Sequence, residues 1–198
     1  MKTTRPSHVA RTARIARTLL LLLLVLSITA SAKRRDPLTD SEIDQLREVA
    51  MEPFKRLQLY IKFADVRLTT IALMRDDPKQ AEGRGKKIHD LLEDFTAILD
   101  EINDNLDQYQ GRPLDQESRK DFRKGLKEVL KAGAHWETVL EDLKSTAESN
   151  AQIKREAAEF RFVLQDAQDA LKSSVDMAKE YSEGKDPEVA PTPPPKKK

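Results

Sequence analysis

Apolar residues return every seven positions along most of this chain. Ile43, Ala50, Leu57, Ala64 and Ile71 make one series. Ile88, Phe95, Ile102 and Tyr109 make a second, flanked by Leu91, Leu92, Ile98 and Leu99. Phe122, Val129, Trp136 and Leu143 make a third, with Leu126, Val139 and Leu140 alongside. Ala157, Leu164, Leu171 and Ala178 make a fourth, joined by Ile153, Phe160 and Ala167. This period puts each series on one stripe of a helix, and the flanking residues widen the stripe beyond a two-stranded seam. A stripe of that width needs more than one packing neighbour. The pattern predicts an all-α fold, an antiparallel up-down four-helix bundle of segments about 50 Å long at 1.5 Å per residue.

Punctuation divides the segments. Thr39 and Glu42 in "TDSE" have the spacing of a capping box that opens the first helix, and Pro53 is expected to kink or break it. Asp77-Pro78-Lys79-Gln80 reads as the second start, with Asp77 as cap and proline at the first helical position. Gly111 and Pro113 end that helix, and a third begins near Leu114 and Asp115. The stretch between Leu143 and Ile153 lacks Gly and Pro, and the seven-residue phase runs through it. Ser149 and Gln152 favour a turn there, opposed by an alternative in which residues 115–183 form one very long helix. That alternative is a three-helix arrangement whose exposed stripe would need a second chain in a dimer.

The N-terminus follows a different rule. Lys2, Arg5, Arg11, Arg14 and Arg17 precede a wholly apolar run, Leu19 to Leu26, and Ala30-Ser31-Ala32 follows it. A basic leader, a short apolar middle and small residues spaced A-x-A describe a signal peptide cleaved after Ala32. The run is shorter than the roughly 20 residues of a membrane-spanning helix. Retention as an uncleaved anchor is the competing reading, helped by Lys33, Arg34 and Arg35 directly after the site. The expected division is 1–32 signal peptide, 33–38 basic segment, 39–184 helical bundle and 185–198 a Pro- and Lys-rich disordered tail. A periplasmic or secreted location follows, with no integral span after cleavage.

Composition adds two constraints. The chain has no cysteine, so disulfides and thiolate metal sites are excluded and packing must supply stability. Its 35 basic and 34 acidic residues nearly cancel, but the body between the two basic ends is acidic. Lys33, Arg34 and Arg35 at one end and Lys196, Lys197 and Lys198 at the other would share a pole in an even-numbered bundle. That pole is a candidate contact for an anionic envelope surface. An acidic body on an exported chain disfavours nucleic acid.

Candidate chemistry is sparse. Glu-x-x-His, the di-iron signature of bundles, is absent, because Lys86 and Ala132 stand three residues before His89 and His135. His135, Met51, Met74 and Met177 are the available axial ligands for a non-covalent haem. His89 and Glu93 are spaced i, i+4 for one metal ion. "EGRGKKIHD" has the glycines of a phosphate loop without its spacing or a preceding strand. No nucleophile–base pattern is present, so no enzyme, no catalytic residue and no cofactor is expected. Phe162 falls opposite the last apolar stripe and is a candidate contact for a protein partner.

"KRRDPLTDSEIDQLREVAMEPFKRLQLYIKFADVRL" and "KKIHDLLEDFTAILDEINDNLDQY" resemble an uncharacterised group of exported bacterial helical-bundle proteins. "PLTDSEIDQLREV" is also similar to the LTxxQ motif of small periplasmic stress chaperones, with Glu42 in place of the Gln and a single copy. These residues point to a non-enzymatic exported bundle that binds a protein partner or the envelope. A holdase-type chaperone and a haem- or metal-binding bundle are the alternatives.

Overall fold

The computed structural model describes residues 35–111 and 113–184. The chain divides into two compact units, Met1–Arg35 and Asp36–Lys198. Of the first, only Arg35 is described, and it is exposed. Among the described residues the second unit is all-α, with six α-helices and no strand. They are α1 (Asp40–Glu48), α2 (Pro53–Asp76), α3 (Arg84–Gln110), α4 (Gln116–Ser149), α5 (Ala151–Glu156) and α6 (Arg161–Glu183). Short 3-10 turns occupy Pro78–Gln80 and Ala157–Glu159.

The helix boundaries follow local chemistry. Thr39 caps α1 as expected: its hydroxyl accepts from the Glu42 N–H, and Glu42 accepts in return from the Thr39 N–H. Pro53 is the first residue of α2, so the first segment is broken rather than bent. Ala50, in phase only if that helix were continuous, is exposed. Asp77 caps only a 3-10 turn, and α3 starts later, at Arg84. The cause is Gly83, whose φ of 66° lies in the left-handed region that glycine alone enters freely. Asp115 caps α4 through the Ser118 N–H at 2.7 Å, and Gly111 closes α3.

The very long helix does not form. The chain leaves α4 after Ser149, and Asn150 rather than Ser149 caps α5, accepting from the N–H groups of Gln152 and Ile153. A second break at Ala157–Phe160 then precedes α6, which returns along α4.

Each of the four long helices packs against two others: α2 on α3 and α4, and α6 on α3 and α4. Side-chain pairs give the directions. Tyr60 with Glu101 and Arg67 with Asp94 run antiparallel between α2 and α3. Gly133 beside Val175 and Glu141 with Gln168 do the same between α4 and α6. Gln58 with Glu128 and Asp65 with Trp136 run parallel between α2 and α4. Arg84 with Glu156 and Asp107 with Tyr181 run parallel between α3 and the α5–α6 segment. Two antiparallel hairpins therefore lie side by side, and the short α3–α4 turn crosses the diagonal. Aromatic pairs fill that diagonal: Phe95 stands edge-on to Trp136 at 5.6 Å, and Tyr109 stacks on Phe122 at 5.4 Å.

The predicted stripes form the core. Ile88, Phe95, Ile102, Tyr109, Phe122, Val129, Trp136, Leu143, Leu164, Leu171 and Ala178 are all buried, together with Leu57, Ala64 and Ile71. Gly133 lets α4 approach α6, since a Cβ there would stand 2.6 Å from Val175 Cγ2. One core position is polar without compensation: Asn105 is buried and its Oδ1 has no donor among the described residues. Asn105→Leu is expected to raise unfolding stability by about 1 kcal/mol, read from the urea midpoint, because a buried unpaired amide is replaced by an apolar group of similar size.

The first and last described residues of the unit are not at one pole. α1 doubles back along α2, and the Pro37 carbonyl accepts from Arg67 at 2.6 Å. α6 ends at Glu183, two residues past Tyr181, whose ring is 6.3 Å from Phe122. That level lies near the start of α2, where Gly125 meets Leu57 and Phe54. Fourteen residues of α2 separate the two levels, about 20 Å at 1.5 Å per residue.

Candidate functional site

Two buried arginines, neither singled out by sequence, organise the polar interior. Arg67 Nη1 and Nη2 donate to the two oxygens of Glu42 at 2.5 and 2.7 Å, and its Nε is 3.7 Å from Asp94. Burial alone would raise the Glu42 carboxyl. The Arg67 guanidinium and the Thr39 N–H outweigh it and hold the carboxyl below its ordinary 4.5. Arg84 donates from Nε and Nη2 to Glu156 at 2.7 and 2.9 Å. Its Nη1 lies 3.3–3.4 Å from the carbonyls of Met74, Arg75 and Asp77. The stretch with a phosphate loop's glycines is thus a clasp joining the end of α2, the start of α3 and α5. Gly85 belongs to it, since a Cβ there would stand 2.9 Å from the Glu156 carbonyl oxygen.

The metal candidate gains a member. His89 Nδ1 lies 3.4 Å from Asp90 and 3.9 Å from Glu93, and one ligand atom from each of the three falls within 4.8 Å of the others. All three come from one turn of α3, and the Lys86 ammonium stands 3.5 Å from Asp90. His135 is exposed on α4 while its neighbour Trp136 fills the core. Met74 and Met177 are half-buried and Met51 is 92% exposed. His135 and the methionines do not converge on one interior site.

Phe162 is 68% exposed, with the Arg161 guanidinium 4.5 Å from its ring centre. Ala30, Ala32, Lys33, Arg34, Lys196, Lys197 and Lys198 lie outside the described residues. Other exposed apolar side chains are on α2: Val66 and Leu73, seven residues apart, with half-buried Leu59 seven before them. Leu59 packs against the core, whereas Val66 and Leu73 face away from the stripe of Leu57, Ala64 and Ile71, so α2 carries apolar residues on two faces. The sequence signal was present, but it was hidden by the stronger inward series.

Grooves lie at the ends and along one flank. One of about 280 Å³ is lined by Met51, Pro53, Phe54 and Tyr109, with Asp115, Glu117 and Asp121 at its edge. Another, of about 370 Å³, has Phe160 and Leu164 at its base and Lys144, Lys154 and Arg161 around it. A third, of about 400 Å³, runs between α4 and α6 beside Gly133. No helix among the described residues is long and apolar enough to cross a membrane.

Comparison with protein-family models, with curated proteins and with solved structures finds no match.

Proposed function

We propose that this is an exported, non-enzymatic protein, an antiparallel four-helix bundle that binds a partner in the envelope through the outer face of α2. The observation that carries the reading is the exposed pair Val66 and Leu73, seven residues apart on a helix whose opposite face is already packed in the core. Apolar residues at that spacing suit a second amphipathic helix laid along α2, with knobs from each entering the other. Lys62 and Thr69 beside the pair are exposed and give the contact a polar rim. Export rests on the leader that ends at Ala30-Ser31-Ala32. The buried ionisable groups support a binding role over catalysis, because Arg67, Glu42 and Arg84 are already engaged in joining helices.

A photo-crosslinking residue at Leu73, introduced into the full chain in cells, tests the reading. The expected adduct is a protein whose crosslinked segment has apolar residues seven apart, and it is lost when Val66 and Thr69 are changed to Asp. Circular dichroism of that variant is expected to match the parent. Adducts unaffected by the two aspartates, or confined to lipid, overturn the proposal. Adducts spread over many unrelated unfolded proteins favour the holdase class instead.

A further inference from the structure

We propose that the groove at the pole where α6 ends is the docking site of this chain's own C-terminal segment, residues 185–198. The groove is lined by aromatic and apolar Met51, Pro53, Phe54 and Tyr109 and by the carboxylates of Glu52, Asp115, Glu117 and Asp121, with Lys55 and Ser118 among them. Glu117 and Asp121 at its edge are in no ion pair among the described residues, and Asp115 accepts only as the cap of α4. Glu52 is already neutralised by Lys55 at 2.6 Å. Met51, 92% exposed beside Phe54, is a costly side chain to leave in water with nothing against it.

The segment that follows Gly184 has the complementary chemistry. "KDPEVAPTPPPKKK" carries Pro187, Pro191, Pro193, Pro194 and Pro195, then Lys196, Lys197 and Lys198. Proline-rich chain favours the extended polyproline II form, and such segments dock on aromatic-lined grooves because little conformational freedom is left to lose. The three lysines that follow suit the Asp115–Asp121 edge. A cation already approaches this surface: Lys124 Nζ stands 4.8 Å from the centre of the Phe54 ring.

Reach and direction agree. Tyr181, four residues before the segment, lies 6.3 Å from Phe122, which lies 5.4 Å from the groove-lining Tyr109. Residues 185–198 extend about 40 Å at 3.1 Å per residue, several times those two steps. The occupant is thus tethered beside its site, so a contact too weak to form between separate molecules is favoured by high effective concentration. The proposal stands on this groove alone and is independent of the α2 face.

The absence of cysteine makes the test clean. A nitroxide attached at T192C in the full chain is read through the methyl resonances of Met51, Met74 and Met177. Met51 is expected to be broadened away while Met74, near the other end of α2, keeps its intensity. Changing Lys196, Lys197 and Lys198 to Gln, or E117Q with D121N, is expected to restore Met51, as is salt at about 1 M, where charges act over only about 3 Å. Met177, close to the tether, serves as the reference for a tail that merely moves nearby. Met51 broadened no more than Met177, and indifferent to both charge changes, overturns the proposal. Equal broadening when spin-labelled chains are mixed with separate methyl-labelled chains assigns the groove to a second copy's tail and overturns the intramolecular contact.

Discussion

Arg67→Ala is expected to destabilise the protein by about 3–5 kcal/mol, the range seen when one partner of a buried ion pair is removed. Arg67 is 5% exposed and faces two buried carboxylates, Glu42 and Asp94, from two different helices. Its removal takes the guanidinium from buried Glu42, leaving it the Thr39 groups, removes a cation from beside Asp94, and frees the Pro37 carbonyl that fixes the start of α1. The effect is measurable by urea unfolding followed through Trp136, the chain's single tryptophan. Acid sharpens the test. Glu42 titrates below its ordinary 4.5 in the folded protein, so its contribution is complete above that value and is lost as pH falls through the lower folded value. Without Arg67 the carboxyl loses the hydrogen bond and the positive charge that oppose its burial and moves up from its parent value, so the variant has less to lose on acidification. The gap between parent and Arg67→Ala is therefore expected to narrow from pH 7 to pH 3. A gap independent of pH would show that Glu42 is not the group Arg67 serves.

Trp136→Ala is expected to cost a comparable amount, about 3–5 kcal/mol, mainly through the cavity left behind. Trp136 is fully buried where both hairpins meet, edge-on to Phe95 from the diagonal helix. Its Nε1–H donates to Asp65 on α2, so the ring carries both packing and a polar tie. Trp136→Phe separates these contributions. It keeps most of the volume and removes the donor, leaving Asp65 unanswered, for an expected loss of about 1–3 kcal/mol. Denaturant unfolding followed by circular dichroism reads both variants. Equal losses would mean that the hydrogen bond, and not the volume, fixes this position.

What the sequence made legible was burial. The series from Ile88 to Tyr109 and from Phe122 to Leu143 are inward because a repeating apolar stripe has no other stable place to go. The breaks at Pro53, Gly111 and Asn150 were readable to within a residue or two from backbone chemistry. Three things were not. Arg67 sits among apolar neighbours on α2 without any spacing that marks it, and Glu42 had one visible task, the capping box, while the fold gives it two. The break at Ala157–Phe160 has neither Gly nor Pro to announce it. The order of helices around the core depends on which stripes match in shape, and a period alone carries no information about partners. Of the candidate site, Phe162 was legible as an outward aromatic, whereas Val66 and Leu73 were masked by the inward series on the same helix.

The diagonal turn between α3 and α4 has a consequence for assembly. Each half of the molecule is a contiguous stretch of sequence, so its own pairing closes a short loop and costs little entropy. The residues that meet across the plane between the two halves, Phe95 with Trp136 and Tyr109 with Phe122, are large rings. Cleavage of the backbone between residues 111 and 115 would sever the strap yet leave both complementary surfaces whole, which makes this protein a natural pair of fragments.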